Sequence, residues 1–365
     1  MQKIDFNKDW MCRCLTRDEE AYPVTLPHDA MLSEPRTQES TGEGNIGWYI
    51  GGDYEYTKNF FVPEEYKGKK VLIEFEGIYH NGEVYINGKK AAYRPYGYTN
   101  FYVDTEGFFQ YGKENEIKVI ARNADQPNSR WYTGSGIYRD VNLFIGTELY
   151  VPKDRIRITT LSVQDEIAVI EVCADIKNIT GTGTEAECTI EFCREGKTVA
   201  KEVQHVVFLQ NTIETIRVQI PVLKPEKWSP EHPNLYECRI QIKNGDTVCD
   251  VVTEHFGIRV LTLDPIRGFQ INGETVKFRG ACIHHDNGII GAETFAEAEW
   301  YRCKCLKEAG FNALRSSHHP MSRTMLEACD RLGMLVMDEL TDMWNRHKNP
   351  YDYADIFQEQ AGQWI

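Results

Sequence analysis

Between residues 45 and 146, apolar and polar residues alternate in short runs broken by turn formers: "YEYTKNFFV", "KKVLIEFEG", "EVYINGKKAAY", "NEIKVIARN" and "IYRDVNLFI". A period of two marks strands with one buried face. Asn87–Gly88, between "EVYI" and "KKAAY", signals a two-residue hairpin. The pattern predicts an antiparallel β-sandwich of jelly-roll type over residues 1–150. From about 155 to 262 the alternation continues in "EIAVIEVCADI", "ECTIEFC", "TIRVQI", "YECRIQIK" and "TVCDVVTEHFGIR". This predicts a second, smaller, immunoglobulin-like sandwich over 151–262, without the paired cysteines of antibody domains.

After "LDPIRGFQINGE" the period changes. "VKFRGACI" (276–283) predicts a strand, and "TFAEAEWYRCKCLKEAG" (294–310) a helix opened by a Thr294/Glu297 capping box and closed at Gly310. "FNALRSS" (311–317) predicts the next strand. "SRTMLEACDRLG" (322–333) follows as a helix with Met325, Cys329 and Leu332 on one face, and "MLVMDE" (334–339) as a strand buried on both faces. Alternating β and α elements imply a parallel sheet. A complete (β/α)8 barrel takes roughly 250 residues, so residues 263–365 are expected to hold only its first three strands. A complete small open sheet is the alternative, with both faces poorly covered.

A chain of 365 residues accommodates several domains. Its formal charge of −14 and the lack of any long basic run exclude nucleic acid as an expected partner. "MQKIDFNKDWMCRC" has no apolar core of a signal peptide, and no run of about 18 apolar residues occurs. No membrane partner is expected. The eleven cysteines, at spacings that match neither a zinc ribbon nor a CxxC pair, suggest reduced thiols in a cytoplasm. Aromatic residues make up 12% of the chain, which suits both sandwich cores and stacking on sugar rings.

The candidate chemistry lies in "CIHHDNG" (282–288) and "RSSHHPMS" (315–322). "HHD" closes the first parallel strand, "SHHP" the second and "DE" the third, and functional residues of parallel α/β sheets sit at such carboxyl ends. Adjacent strand residues point to opposite faces, so only one histidine of each pair can face a common centre. The residues leave three readings open: contacts to a bound substrate, loop-satisfying histidines, or a metal held by one histidine of each pair with Asp286 or Glu339.

"NALRSSHHPMSRTMLEACDRLGMLVMDE" (312–339) resembles the signature of glycoside hydrolase family 2. "FRGACIHHD" is similar to the first barrel strand of that family, "QPNSRWYTGSGIYRDV" (126–141) to the last part of its sugar-binding jelly roll, and "WSPEHPNLYE" and "HFGIR" to its immunoglobulin-like domain. Within the family the chain looks most like the β-galactosidases. The resemblance implies a retaining exo-glycosidase acting on a carbohydrate, with two carboxyl groups about 5–5.5 Å apart. In the family these are glutamates on later barrel strands, so no catalytic residue is expected before Ile365. By matched position, His284 and His318 would contact the sugar, and Asp125 would reach the same subsite. Arg315 and Glu339 would form a structural ion pair in the barrel interior. Some members bind magnesium just past the "DE". Met343 and Asn345 stand there, with Asp342 one position off, so neither a metal nor another cofactor is expected. His319 replaces a tyrosine common in the signature. Relatives that cleave glucuronides and mannosides, and a non-catalytic carbohydrate-binding or assembly module, are the alternatives. Whether the chain forms a homo-oligomer is left open.

Overall fold

The computed structural model describes residues 1–364; Ile365, the end of the expected barrel segment, lies outside the described residues. The first unit is a sandwich of two antiparallel sheets. One has six strands in the order Tyr22–Val24, Trp10–Cys14, Asp53–Val62, Lys113–Arg122, Gly82–Ile86, Lys89–Arg94. The other has four, in the order Gln2–Asp5, Val141–Gly146, Lys70–Phe75, Phe101–Asp104. The alternation seen in the sequence is the reason: Tyr54 and Tyr56 bury their rings on one face, as do Val84 and Ile86 and Ile117 and Val119, around Trp10, Ile73 and Phe75. Asn87 and Gly88 take φ of 49° and 78°, the left-handed turn that two-residue hairpins favour.

The second sandwich pairs Ile167–Asn178 with Ile156–Val163 and Ile213–Leu223 on one side. Lys197–Phe208, Thr184–Arg194, Tyr236–Asn244 and Thr247–Phe256 form the other. Val172, Ile190, Phe192, Val218 and Ile240 fill the space between them. Among the described residues all eleven cysteines are unpaired, so packing alone closes this sandwich.

A small antiparallel sheet (Leu261–Asp264, Gly268–Ile271, Glu274–Thr275) then leads into three parallel strands, Gly280–Ile283, Ala313–Ser316 and Leu335–Met337. The helices between them run Ala296–Glu308 and Arg323–Leu332. The first strand starts four residues later than the sequence suggests, because Arg279 is held as a loop residue: its N–H donates to Asn312 Oδ1 at 2.7 Å. The second helix follows expectation. Ser322 accepts from the Met325 N–H, and Gly333 takes φ of 72° at the C-cap.

Two sequence expectations fail here. Thr294 does not cap the first helix; Phe295 occupies that position without a side-chain bond. The Thr294 hydroxyl instead donates to the Ala292 carbonyl, while its N–H reaches the Tyr138 carbonyl of the jelly roll at 3.1 Å. A tertiary contact has displaced a local one. The third strand is not buried on both faces: Leu335 is covered, yet Met337 is 60% exposed. Its inner face borders an open apolar groove of about 770 Å³, lined by Phe269, Phe278, Leu335 and Met337, where further strands of a closed barrel would pack.

The parallel strands are held against both sandwiches. A buried aromatic cluster of Tyr79, Tyr96, Tyr98, Trp131 and Tyr138 from the jelly roll meets Met343, Tyr353 and Trp364 from the segment after the third strand. Arg323 reaches Glu74 and Glu76 at 2.9 and 2.8 Å. Trp228 of the second sandwich donates to the Asp330 carbonyl at 2.9 Å. These contacts fix the strand ends relative to the jelly-roll loop 123–133.

Candidate functional site

Parallel pairing sets Ile283 opposite Ser316, so the two histidine pairs that follow stand at the carboxyl ends of neighbouring strands, offset by one residue. Each pair then divides. His285 and His319 turn toward the jelly roll and are buried. His285 donates from Nε2 to the Thr133 carbonyl at 2.9 Å, its Nδ1 lies 3.2 Å from Nε2 of His319, and His319 stacks on Tyr98 at 4.2 Å between centroids. Burial pushes His285 down to about 3 and His319 well below the ordinary histidine range, so both are neutral. These two are the loop-satisfying, structural half.

His284 and His318 turn the other way, with ring centroids 6.3 Å apart. His284 donates from Nδ1 to the Ser317 carbonyl at 2.5 Å, and His318 from Nδ1 to Glu339 Oε2 at 2.7 Å. Committing Nδ1 in both rings fixes the tautomer and leaves Nε2 for an external group. Trp131 forms the wall behind them, stacked on His284 at 5.4 Å and edge-on to His318 at 5.7 Å. Its indole Nε1 is buried without a partner among the described residues, an N–H donor left unused.

Arg315 and Glu339 form the expected ion pair. It is not sealed in an interior, however: Arg315 is 44% exposed, and Glu339 also carries His318, so the pair orients a rim histidine. Arg315, His318 and Glu339 line an open cleft of about 590 Å³ together with Arg130, Asp342, Trp344, Lys348 and Phe357.

Asp125 is not brought to this rim. It is exposed and lines a separate surface cleft with Asp53, Glu83, Lys90, Tyr93 and Arg122. The reason is the course of loop 123–133. Asn128 folds back to donate to the Asp125 carbonyl at 2.9 Å, which leaves Asp125 on the outer flank and carries Arg130 and Trp131 inward. Trp131 and Arg130 are the functional candidates that sequence reasoning missed, although both sit inside the "QPNSRWYTGSGIYRDV" segment that carries the resemblance. Arg302 is a third: from the first helix it donates to the carbonyls of His284 and Asp286 at 2.8 Å each, and to buried Glu299, bracing the first histidine loop.

The positions that would hold magnesium do not suit a divalent cation. Met343 offers a thioether and is buried in the aromatic cluster. Asp342 is taken by Arg130, which bonds both its oxygens at 2.8 Å, and by Lys348. Among the described residues no group of three or more potential ligands clusters as a metal site.

A jelly roll, an immunoglobulin-like sandwich and the opening strands of a barrel follow one another in the order that the family resemblance implies. Family models agree segment by segment: "Glycosyl hydrolases family 2, sugar binding domain" matches 45–146, "Glycosyl hydrolases family 2" 150–259, and "Glycosyl hydrolases family 2, TIM barrel domain" 266–350. The chain belongs to glycoside hydrolase family 2. It is 35% identical to the β-galactosidase BoGH2A of Bacteroides ovatus over 98% of its own length and 43% of that protein. It is 29% identical to a β-glucuronidase of Bacteroides fragilis, over 99% of its length and 52% of that protein. A solved family 2 member from Bacteroides cellulosilyticus superposes with a TM-score of 0.95 at 33% identity, covering 100% of this chain and 49% of the other. The chain thus spans about half the length of the relatives it matches.

Proposed function

We propose that the chain forms the glycone-binding part of a retaining exo-glycosidase that hydrolyses terminal β-D-galactosides, in a reducing cytoplasm. The observation that carries this is the pair His284 and His318: ring centroids 6.3 Å apart on neighbouring strand ends, and backed by Trp131. Imidazole Nε2 atoms so placed suit sugar hydroxyls, while Trp131, buried and stacked on His284, holds the rim in place behind them. Hydrolysis also needs an acid/base and a nucleophile. The rim carboxylates are otherwise engaged, Glu339 with Arg315 and His318, Asp342 with Arg130 and Lys348. We assign both catalytic groups to barrel strands outside this segment, as the family resemblance implies.

Calorimetric titration with methyl β-D-galactoside tests the reading. Binding should weaken at least tenfold in His284→Ala and in His318→Ala, and the chain should not hydrolyse a chromogenic galactoside. Unchanged binding in both variants would reject the site, and hydrolysis would reject the assignment of the missing groups. A glucuronide substrate is the second reading. Relatives of both activities match the chain with similar coverage, and the cleft carries an excess of cations.

A further inference from the structure

The protein as a whole is acidic, with 55 carboxylate side chains against 41 lysines and arginines. The cleft beside His318 has the opposite balance. Arg130, Arg315 and Lys348 line it against Glu339 and Asp342, three cations to two carboxylates, before any charge on His318 is counted. Arg315 is matched by Glu339. The surplus therefore falls at Asp342, a single carboxylate with 6% side-chain exposure that holds two cations at once, Arg130 (47% exposed) and Lys348 (40% exposed). Burial pushes the Asp342 carboxyl upward, but Lys348 and Arg130 outweigh it and hold the group below the usual range, so it stays ionised and the local charge stays at plus one.

The geometry leaves hydrogen-bonding capacity as well as charge. Arg130 spends Nε and one terminal nitrogen on the two Asp342 oxygens. Its other terminal nitrogen, and two of the three N–H bonds on Lys348, have no partner among the described residues. Asp342 fixes the guanidinium plane beforehand, so little rotamer freedom remains to be lost on binding. Trp344, 61% exposed, lines the same cleft and offers a ring face to a pyranose. A neutral sugar draws on carboxylate acceptors for its hydroxyls, and here both are already engaged. A concave space of this size suits one or two sugar units rather than a protein surface.

We infer that Arg130 and Lys348 form an anion subsite beside the histidine rim, which takes a carboxylate or sulfate group borne by the bound glycan. The inference rests on the glycone reading of His284 and His318 and deepens it by naming the substrate class as an acidic glycan. A charged partner in a cleft of opposite sign gains both charge-assisted hydrogen bonds and a raised local concentration.

The test is calorimetry on this chain at low ionic strength with three probes: methyl β-D-galactoside, methyl β-D-glucuronide, and methyl β-D-galactoside 6-sulfate. At least one anionic probe should bind about tenfold or more tightly than the neutral one, with an advantage that shrinks as salt is added. Whichever anion wins identifies the source of the charge. Lys348→Gln should abolish that advantage while changing the neutral probe less than twofold, and Lys348→Arg should restore it. Equal affinity for all three probes, or an anionic preference that survives Lys348→Gln, would overturn the subsite. Failure of all three to bind the wild-type chain would instead reject the glycone site itself, and this inference with it.

Discussion

His318 and His285 are both strand-end histidines, yet their loss should show in different measurements. His318→Ala removes a ring that is partly open and carries one bond to Glu339. It should weaken sugar binding at least tenfold and shift the melting temperature little. His285→Ala removes a buried ring and orphans the Thr133 carbonyl, which should cost about 2–3 kcal/mol of stability. Melting curves and titrations of the two variants, side by side, check the division. His285 also sets a pH dependence. Its folded-state value of about 3 lies below the unfolded value near 6.5, so the unfolded chain binds the extra proton and stability falls as pH drops from about 6.5 toward 3. At this scale the sequence was informative where a side chain's role follows from strand geometry: alternation alone shows that each histidine pair must split. It is silent where a role depends on the course of a distant loop: nothing local in 123–133 tells that Asp125 stays on the outer flank while Arg130 and Trp131 turn inward.

Among the elements, the dock between the second helix and the jelly roll is the most exposed to pH. Arg323 serves two buried carboxylates, and one guanidinium cannot offset both. Burial raises Glu74, but Arg323 outweighs that and holds it down at about 2; burial, with Glu74 nearby, lifts Glu76 to about 7. A raised carboxyl favours the folded state while protonated, so this contribution is present below about pH 4.5 and is lost as pH rises through 7. Glu76→Gln keeps the acceptor for Arg323 without the charge. It should change stability little at pH 5 and raise it at pH 8 by up to about 3 kcal/mol, as measured by denaturant unfolding at the two values. An equal effect at both would contradict the account. Elements with strong local signals, such as the hairpin at Asn87–Gly88 and the Ser322-capped helix, could be placed from sequence. The helix Ala354–Gln360 could not, since its side chains answer to the aromatic cluster on the jelly roll rather than to a local pattern.

For the molecule as a whole, two sandwiches enclose their own cores and three parallel strands do not. The groove along Phe278 and Met337 leaves apolar surface in water, at about 25 cal/mol per Å² forgone. Limited proteolysis should therefore cut first within 263–364, at tips such as Ile266 and Ile289, which are 94% and 97% exposed. The two sandwiches should outlast that segment, and early cleavage inside either of them would contradict this ordering. What the whole arrangement achieves is to bring a jelly-roll tryptophan behind histidines from two barrel strands. The most direct test is a nitrogen NMR titration of imidazole-labelled protein with a β-glycoside. The Nε2 resonances of His284 and His318 should move with one shared affinity while those of His285 and His319 stay fixed. Movement of the buried pair instead, or of none of the four on saturation, would contradict the assignment of this rim as the sugar site.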